Sequence, residues 1–143
     1  AVADAFAGTE EEIDAVMCGN DGLAGYVIRS LSERQLAGDV VVVGQDADLE
    51  ACQRIVEGTQ TMTVYKPIND LAKEAAECTV KLARGEQIVG NVLDVSDVKE
   101  NEDGQEVPYY GLEPVAVTAE NMDSVIIGSG FHSREEVYLN VEN

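Results

Sequence analysis

The sequence predicts an α/β fold with a mainly parallel sheet. Short apolar runs recur at 13–18, 40–43, 59–65 and 88–93. Helix-patterned stretches separate them at about 22–34, 48–57 and 68–84. The resulting β-α-β-α-β-α-β order calls for crossover connections, the hallmark of parallel strands. The run Val40-Val41-Val42-Val43 lacks polar alternation, as expected for a parallel strand covered on both faces.

Taken in order, residues 1–9 (AVADAFAGT) resemble the tail of an Ala-rich helix without a beginning. Residues 13–18 read as a buried strand. Asp21 is expected to cap a helix over about 22–34, with Leu23, Val27, Ile28 and Leu31 on one face. Gly38-Asp39 makes a turn before the Val40–Val43 strand. A short helix at about 48–57 turns Leu49, Cys52, Ile55 and Val56 inward, and Gly58 ends it. Residues 59–65 are rich in β-branched side chains and read as the next strand.

Pro67 suits the first turn of a helix over 68–84, whose stripe is Ile68, Leu71, Ala75, Cys78 and Leu82. Gly85 stops it. Residues 94–108 (DVSDVKENEDGQEVP) are acidic and read as a solvated loop. Residues 109–117 are extended, and Pro114 keeps that stretch from being a central strand. Thr118 is expected to cap a short helix near 119–127 that packs Ile126 and Ile127. Gly128-Ser129-Gly130 breaks it, and Ser133 opens a final turn with Glu135 and Glu136 near its start.

At 143 residues the chain can build one domain with a real core, and it is expected to fold as one compact domain. No apolar run approaches the roughly 20 residues of a membrane-spanning helix. No basic-then-apolar N-terminal segment marks a signal peptide. The chain opens on Ala1, which suits a processed or truncated product. A net charge of −19 repels phosphate polymers and anionic membranes, so no nucleic-acid partner is expected. Cys18, Cys52 and Cys78 show no CxxC spacing and are read as small core residues. Neither a metal nor a cofactor is expected.

The chemistry concentrates beyond the strand ends. In an open parallel sheet, ligands lie in the crevice past the carboxyl ends of the strands. Three successive runs end there in Asn20, Asp46 and Lys66. Asn20 both donates and accepts, Asp46 accepts through two oxygens, and Lys66 donates. That set suits a neutral, hydroxyl-rich ligand. Against it stands the plainer role of helix capping and turn formation, to which Asp21 and Asp48 are assigned. It would claim Asn20 and Asp46 too, were they not placed with Lys66.

Other motifs carry less. A calcium loop centred on Gly104 would begin at Lys99 and end at Tyr110, neither a suitable ligand. His132 has no Ser or Cys partner motif and reads as a surface or capping residue. No GxSxG, HExxH or P-loop pattern appears. Asp46 and Asp48 share one turn and do not straddle a bond as a glycosidase pair must. No enzyme is expected.

The runs GNDGLAG, VVVVGQDADLEACQRIVEGTQTMTVYKP and GLEPVAVTAENMDSVIIGSGFHSREEVY resemble the periplasmic sugar-binding proteins of bacterial ABC importers. These are of the ribose/galactose type, and GQDAD with GTQTMTVYKP points to the D-xylose branch. The resemblance runs from about residue 12 to the end. It implies a Rossmann-like three-layer sandwich, the C-terminal part of a type I periplasmic binding protein. It implies that Asn20, Asp46 and Lys66 touch the sugar. Residues 1–66 would belong to the C-terminal lobe, 67–111 to a returning segment of the N-terminal lobe, and 112–143 to a hinge crossing and closing segment.

The chain thus reads as a C-terminal fragment with half a binding site, and the stripe from Ile68 to Leu82 is expected to pack on its own sheet or on a second copy. The implied partners are a monosaccharide and an ABC permease, outside the cytoplasm, in a periplasm or on a lipid-tethered protein. Sugar-sensing roles, beside a histidine kinase or as the ligand-binding part of a repressor-like regulator, stay open from these residues.

Overall fold

The computed structural model describes Gly8, residues 13–86, Ile88, residues 99–100, Gly104, residues 106–107 and residues 111–141. The helix expected over 1–9 and the strand expected over 88–93 fall outside these apart from single residues. Contacts divide the chain into two compact units. One comprises Ala1–Lys66 with Val115–Asn143, the other Pro67–Pro114.

The first unit holds a four-stranded sheet in the order β1 (Ala15–Met17), β2 (Val41–Gln45), β3 (Met62–Tyr65), β6 (Val115–Val117). The first three strands are parallel, with Met17 opposite Val43 and Val43 opposite Met62. β6 closes the far side antiparallel to β3, pairing Val115 with Tyr65. The mainly parallel α/β architecture is therefore the one the periodicity predicts.

Helix α1 (Asp21–Ser32) packs Ala24, Val27, Ile28 and Leu31 against Val40 and Val42. Leu23, expected inside, is 54% exposed, and Ala24 takes its place. The helix begins one residue earlier than expected, and Val27, Ile28 and Leu31 keep their expected inward places. Helix α2 (Leu49–Val56) buries Ala51, Cys52 and Ile55. Gly58, at φ +85°, ends this segment in a conformation that few other residues adopt readily.

Cys52 and Ile55 share a second apolar cluster with Tyr65, Val117, Met122, Ile126 and Val137. This cluster is closed by the C-terminal segment. The helix expected near 119–127 is a single π-turn, Asp123–Ile127, in which the Gly128 N–H reaches the Asp123 carbonyl at 2.8 Å. Thr118 does not cap it; instead the Thr118 amide donates to Asn121 Oδ1 at 2.8 Å. Helix α4 (Arg134–Val137) opens with a capping box between Ser133 and Glu136.

The strands are covered on one face only among the described residues. Val42 is fully buried, while its neighbour Val41 is 43% exposed and Met17 is 88% exposed. The four valines therefore do not mark a strand enclosed on both sides here. A depression of about 290 Å³ lies over the uncovered face, lined by residues that include Met17, Val43, Gln45, Met62 and Val64.

The second unit contains helix α3 (Ile68–Ala83) and a two-stranded antiparallel ribbon, β4 (Lys99–Glu100) with β5 (Glu106–Val107). The ribbon lies where the sequence suggested only loop. Helix α3 has the expected extent but buries none of its residues, so Cys78 on its stripe is half-exposed. Cys18 is likewise half-buried, and of the three thiols only Cys52 is a core residue.

Candidate functional site

All three residues singled out by the sequence follow the carboxyl ends of adjacent parallel strands. Asn20 follows β1, Asp46 follows β2 and Lys66 follows β3. Asp46 and Lys66 are brought into direct contact, with Lys66 Nζ 2.6 Å from Asp46 Oδ1. Their side chains remain 40% and 48% exposed, so the pair still faces solvent.

Asn20 is the N-cap of α1, and its Oδ1 accepts from the Leu23 amide at 2.9 Å. Asp21 does not cap the helix. Asp48 occupies the N-cap position of α2 but makes no side-chain cap bond. The amide of Asn20 is linked to the pair only indirectly. Gln45 Nε2 donates to the Gly19 carbonyl at 3.4 Å, which ties the turn before Asn20 to the strand end before Asp46.

The turn that presents Asp46 is strained. Asp46 lies at φ +102° and Ala47 at φ +55°, a region L-residues seldom adopt. Its polar groups are held from several sides. The Asp46 amide donates to the Val64 carbonyl at 2.9 Å. The Ala47 amide donates to Thr63 Oγ1 at 3.2 Å, and the Asp48 amide to Asp21 Oδ2 at 3.0 Å. His132 Nε2 lies 2.9 Å from the Ala47 carbonyl. A carbonyl only accepts, so the ring nitrogen carries the proton there.

His132 is thus a support of the turn, its ring tilted against that of Phe131, which in turn meets Tyr65 at 4.9 Å. No sequence motif marks that role, because its partner lies 85 residues away. Partial burial, then the negative charges of Asp21, Asp46 and Glu50, push the Asp48 carboxyl above the usual carboxylate range, and Arg54 offsets part of this. The edge therefore offers an exposed acceptor and an exposed donor held at fixed spacing. It has the makings of a hydroxyl-binding site, and Asn20 adds a side-chain amide on the neighbouring strand end.

The fold and this strand-end edge define a class, and the chain belongs to the periplasmic binding protein domain family, whose profile matches residues 1–87. Among individual relatives, it is 44% identical over 94% of its length to the D-xylose-binding periplasmic protein of Haemophilus influenzae. It is 41% identical, again over 94% of its length, to the D-xylose-binding periplasmic protein of Escherichia coli. It spans 39% of the length of each of these relatives. A solved carbohydrate transporter solute-binding protein from Chloroflexus aurantiacus, in complex with D-glucose, superposes with a TM-score of 0.76 at 25% identity. That match covers 94% of this chain and 39% of the other.

Proposed function

We propose that this chain is the C-terminal portion of a two-lobed, non-catalytic sugar-binding protein. It contributes Asn20, Asp46 and Lys66 to a site for an aldopentose, D-xylose, and hands the sugar to an ABC permease outside the cytoplasm. The observation that carries the reading is the Asp46–Lys66 pair at the carboxyl edge of the parallel strands. A carboxylate and an ammonium held together, still exposed, can each turn a hydrogen bond toward a sugar hydroxyl. Charge-assisted bonds of this kind contribute about 1.5–3 kcal/mol each. The names of the two bacterial relatives support xylose as the sugar.

The lobe assignment follows the compact units. Contacts break after Lys66 and before Val115, which supports Ala1–Lys66 with Val115–Asn143 as part of one lobe. Pro67–Pro114 then belongs to the other lobe. A lone piece holds half of the site, and its affinity should be far below that of an enclosed one. Calorimetry on the two-lobed protein with xylose, ribose, glucose and galactose tests the reading. Xylose is expected to bind most tightly, and heats indistinguishable from dilution for all four sugars would reject it.

A further inference from the structure

The carboxylate of Asp21 is 1% exposed and is not among the groups assigned to the sugar. Its two oxygens receive three hydrogen bonds, two from side chains of the 59–65 run and one from the turn after Asp46. Oδ1 accepts from Gln60 Nε2 at 2.9 Å. Oδ2 accepts from Thr63 Oγ1 at 2.8 Å and from the Asp48 amide at 3.0 Å. Arg54 closes the group, donating from Nε to Gln60 Oε1 at 3.0 Å and from Nη2 to the Asp21 carbonyl at 3.1 Å. Gly44 leaves the room for it, since a Cβ there would overlap Asp21 Oδ1.

These bonds have a direction. The Thr63 hydroxyl has one proton, and the carboxylate takes it. Its oxygen then stands as an acceptor toward the Ala47 amide at 3.2 Å. Asp21 thereby fixes both amides that follow Asp46, one directly and one through Thr63. Those amides belong to the turn at positive φ that aims Asp46 at Lys66. A carboxyl group this deeply buried is tolerated when hydrogen-bond donors surround it, and here the Thr63 and Asp48 donors also locate the turn that carries Asp46.

We propose that Asp21 is the positioning residue of the sugar site, holding the 46–48 turn through Thr63 and the Asp48 amide so that the Asp46 carboxylate stays at the strand-end edge beside Lys66. The inference rests on the reading of Asp46 as a sugar ligand. Asparagine cannot replace Asp21. Its NH2 would face either Gln60 Nε2 or the Asp48 amide, both donors. Gln60 cannot flip to help without turning its own NH2 onto Arg54 Nε.

The test is calorimetry with D-xylose on the two-lobed protein carrying Asp21→Asn, Asp46→Asn and both, with Leu31→Ala as a destabilised control away from the site. Asp21→Asn is expected to weaken binding about 10- to 100-fold, the range for leaving a buried donor unmatched. In the Asp46→Asn background the same change should cost less than about twofold, since positioning has nothing left to position. Leu31→Ala should bind as the parent does well below its melting temperature. The Ala47 and Asp48 amide resonances should move in Asp21→Asn and hold still in Leu31→Ala. If Asp21→Asn does not fold, Thr63→Val should show the loss and Thr63→Ser should restore binding.

Parent-like affinity in Asp21→Asn or Thr63→Val overturns the proposal. So does an equal loss with and without Asp46, or amide resonances that stay in place. Parent-like affinity in Asp46→Asn instead overturns the sugar-site reading itself, which separates the two failures.

Discussion

Asp46 and Lys66 meet at 2.6 Å across the ends of two adjacent parallel strands, each side chain still open to water. As a contributor to folding such a pair is weak, because exposed ion pairs are worth about 0.2–1 kcal/mol. Its value lies in fixing an acceptor next to a donor.

Removing that acceptor should therefore harm binding far more than stability. Asp46→Ala in the two-lobed protein is expected to cost about 2–5 kcal/mol of xylose affinity by calorimetry. Its urea midpoint should change little. Unchanged affinity would remove Asp46 from the site.

The Leu23 and Leu31 positions make a matched pair for the core. Leu31 is fully buried against Val40 and Val42, and Leu31→Ala should cost about 2–5 kcal/mol in urea unfolding. Leu23→Ala, at an exposed position, should stay within about 0.5 kcal/mol. Equal costs would mean that the helix presents a different face.

Thiol labelling should rank the three cysteines. Burial, followed by the nearby charges of Asp21 and Asp48, pushes the Cys52 thiol up to about 12. Burial and then Asp21 also raise Cys18. A disulfide reagent at pH 8 should modify Cys78 first and Cys18 more slowly, and Cys52 only after unfolding. Rapid native labelling of Cys52, read by mass spectrometry, would contradict the packing of α2.

Acid should loosen the C-terminal segment. Hydrogen bonds from Arg134 and Tyr138 hold the Asp123 carboxyl below its ordinary value of 3.8. A carboxyl depressed in the folded state stabilises above its unfolded pKa and loses that contribution as pH falls through the folded one. The melting temperature of the parent should exceed that of Asp123→Asn at pH 7. The gap should begin to narrow near pH 3.8 and close as pH falls through the lower folded value, and a gap that does not narrow with acid would place the effect elsewhere.

The 143-residue chain on its own should self-associate. Helix α3 exposes Ile68, Leu71, Val80 and Leu82, and a bare apolar surface of this kind seeks cover. Sedimentation should show a species heavier than 15.3 kDa that Leu71→Glu with Leu82→Glu returns to monomer. A monomer at all concentrations would argue against an interface there.

Much of this arrangement was legible in the sequence because local patterns repeat along it. The β-α-β order, the extent of α3 and the three strand-end residues follow from periodicity and punctuation alone. The inward place of Ala24 is hidden because Leu23 and Ala24 both stand three or four residues before Val27, and the larger apolar side chain is the natural choice for the core. Asp21 looked like a cap because acidic residues at helix starts usually are. Its true partners, Gln60 and Thr63, stand 39 and 42 positions away, beyond any local pattern. The π-turn at Asp123–Ile127 was read as a short helix because the two share the same apolar spacing over one turn.

The left-handed backbone at Asp46 and Ala47 has a last consequence. Glycine would adopt those angles with less strain, yet it would also let the peptide wander among many others. By keeping two side-chained residues there, the protein settles the aim of its carboxylate when it folds. In the proposed sugar site, little reorganisation would then remain on binding.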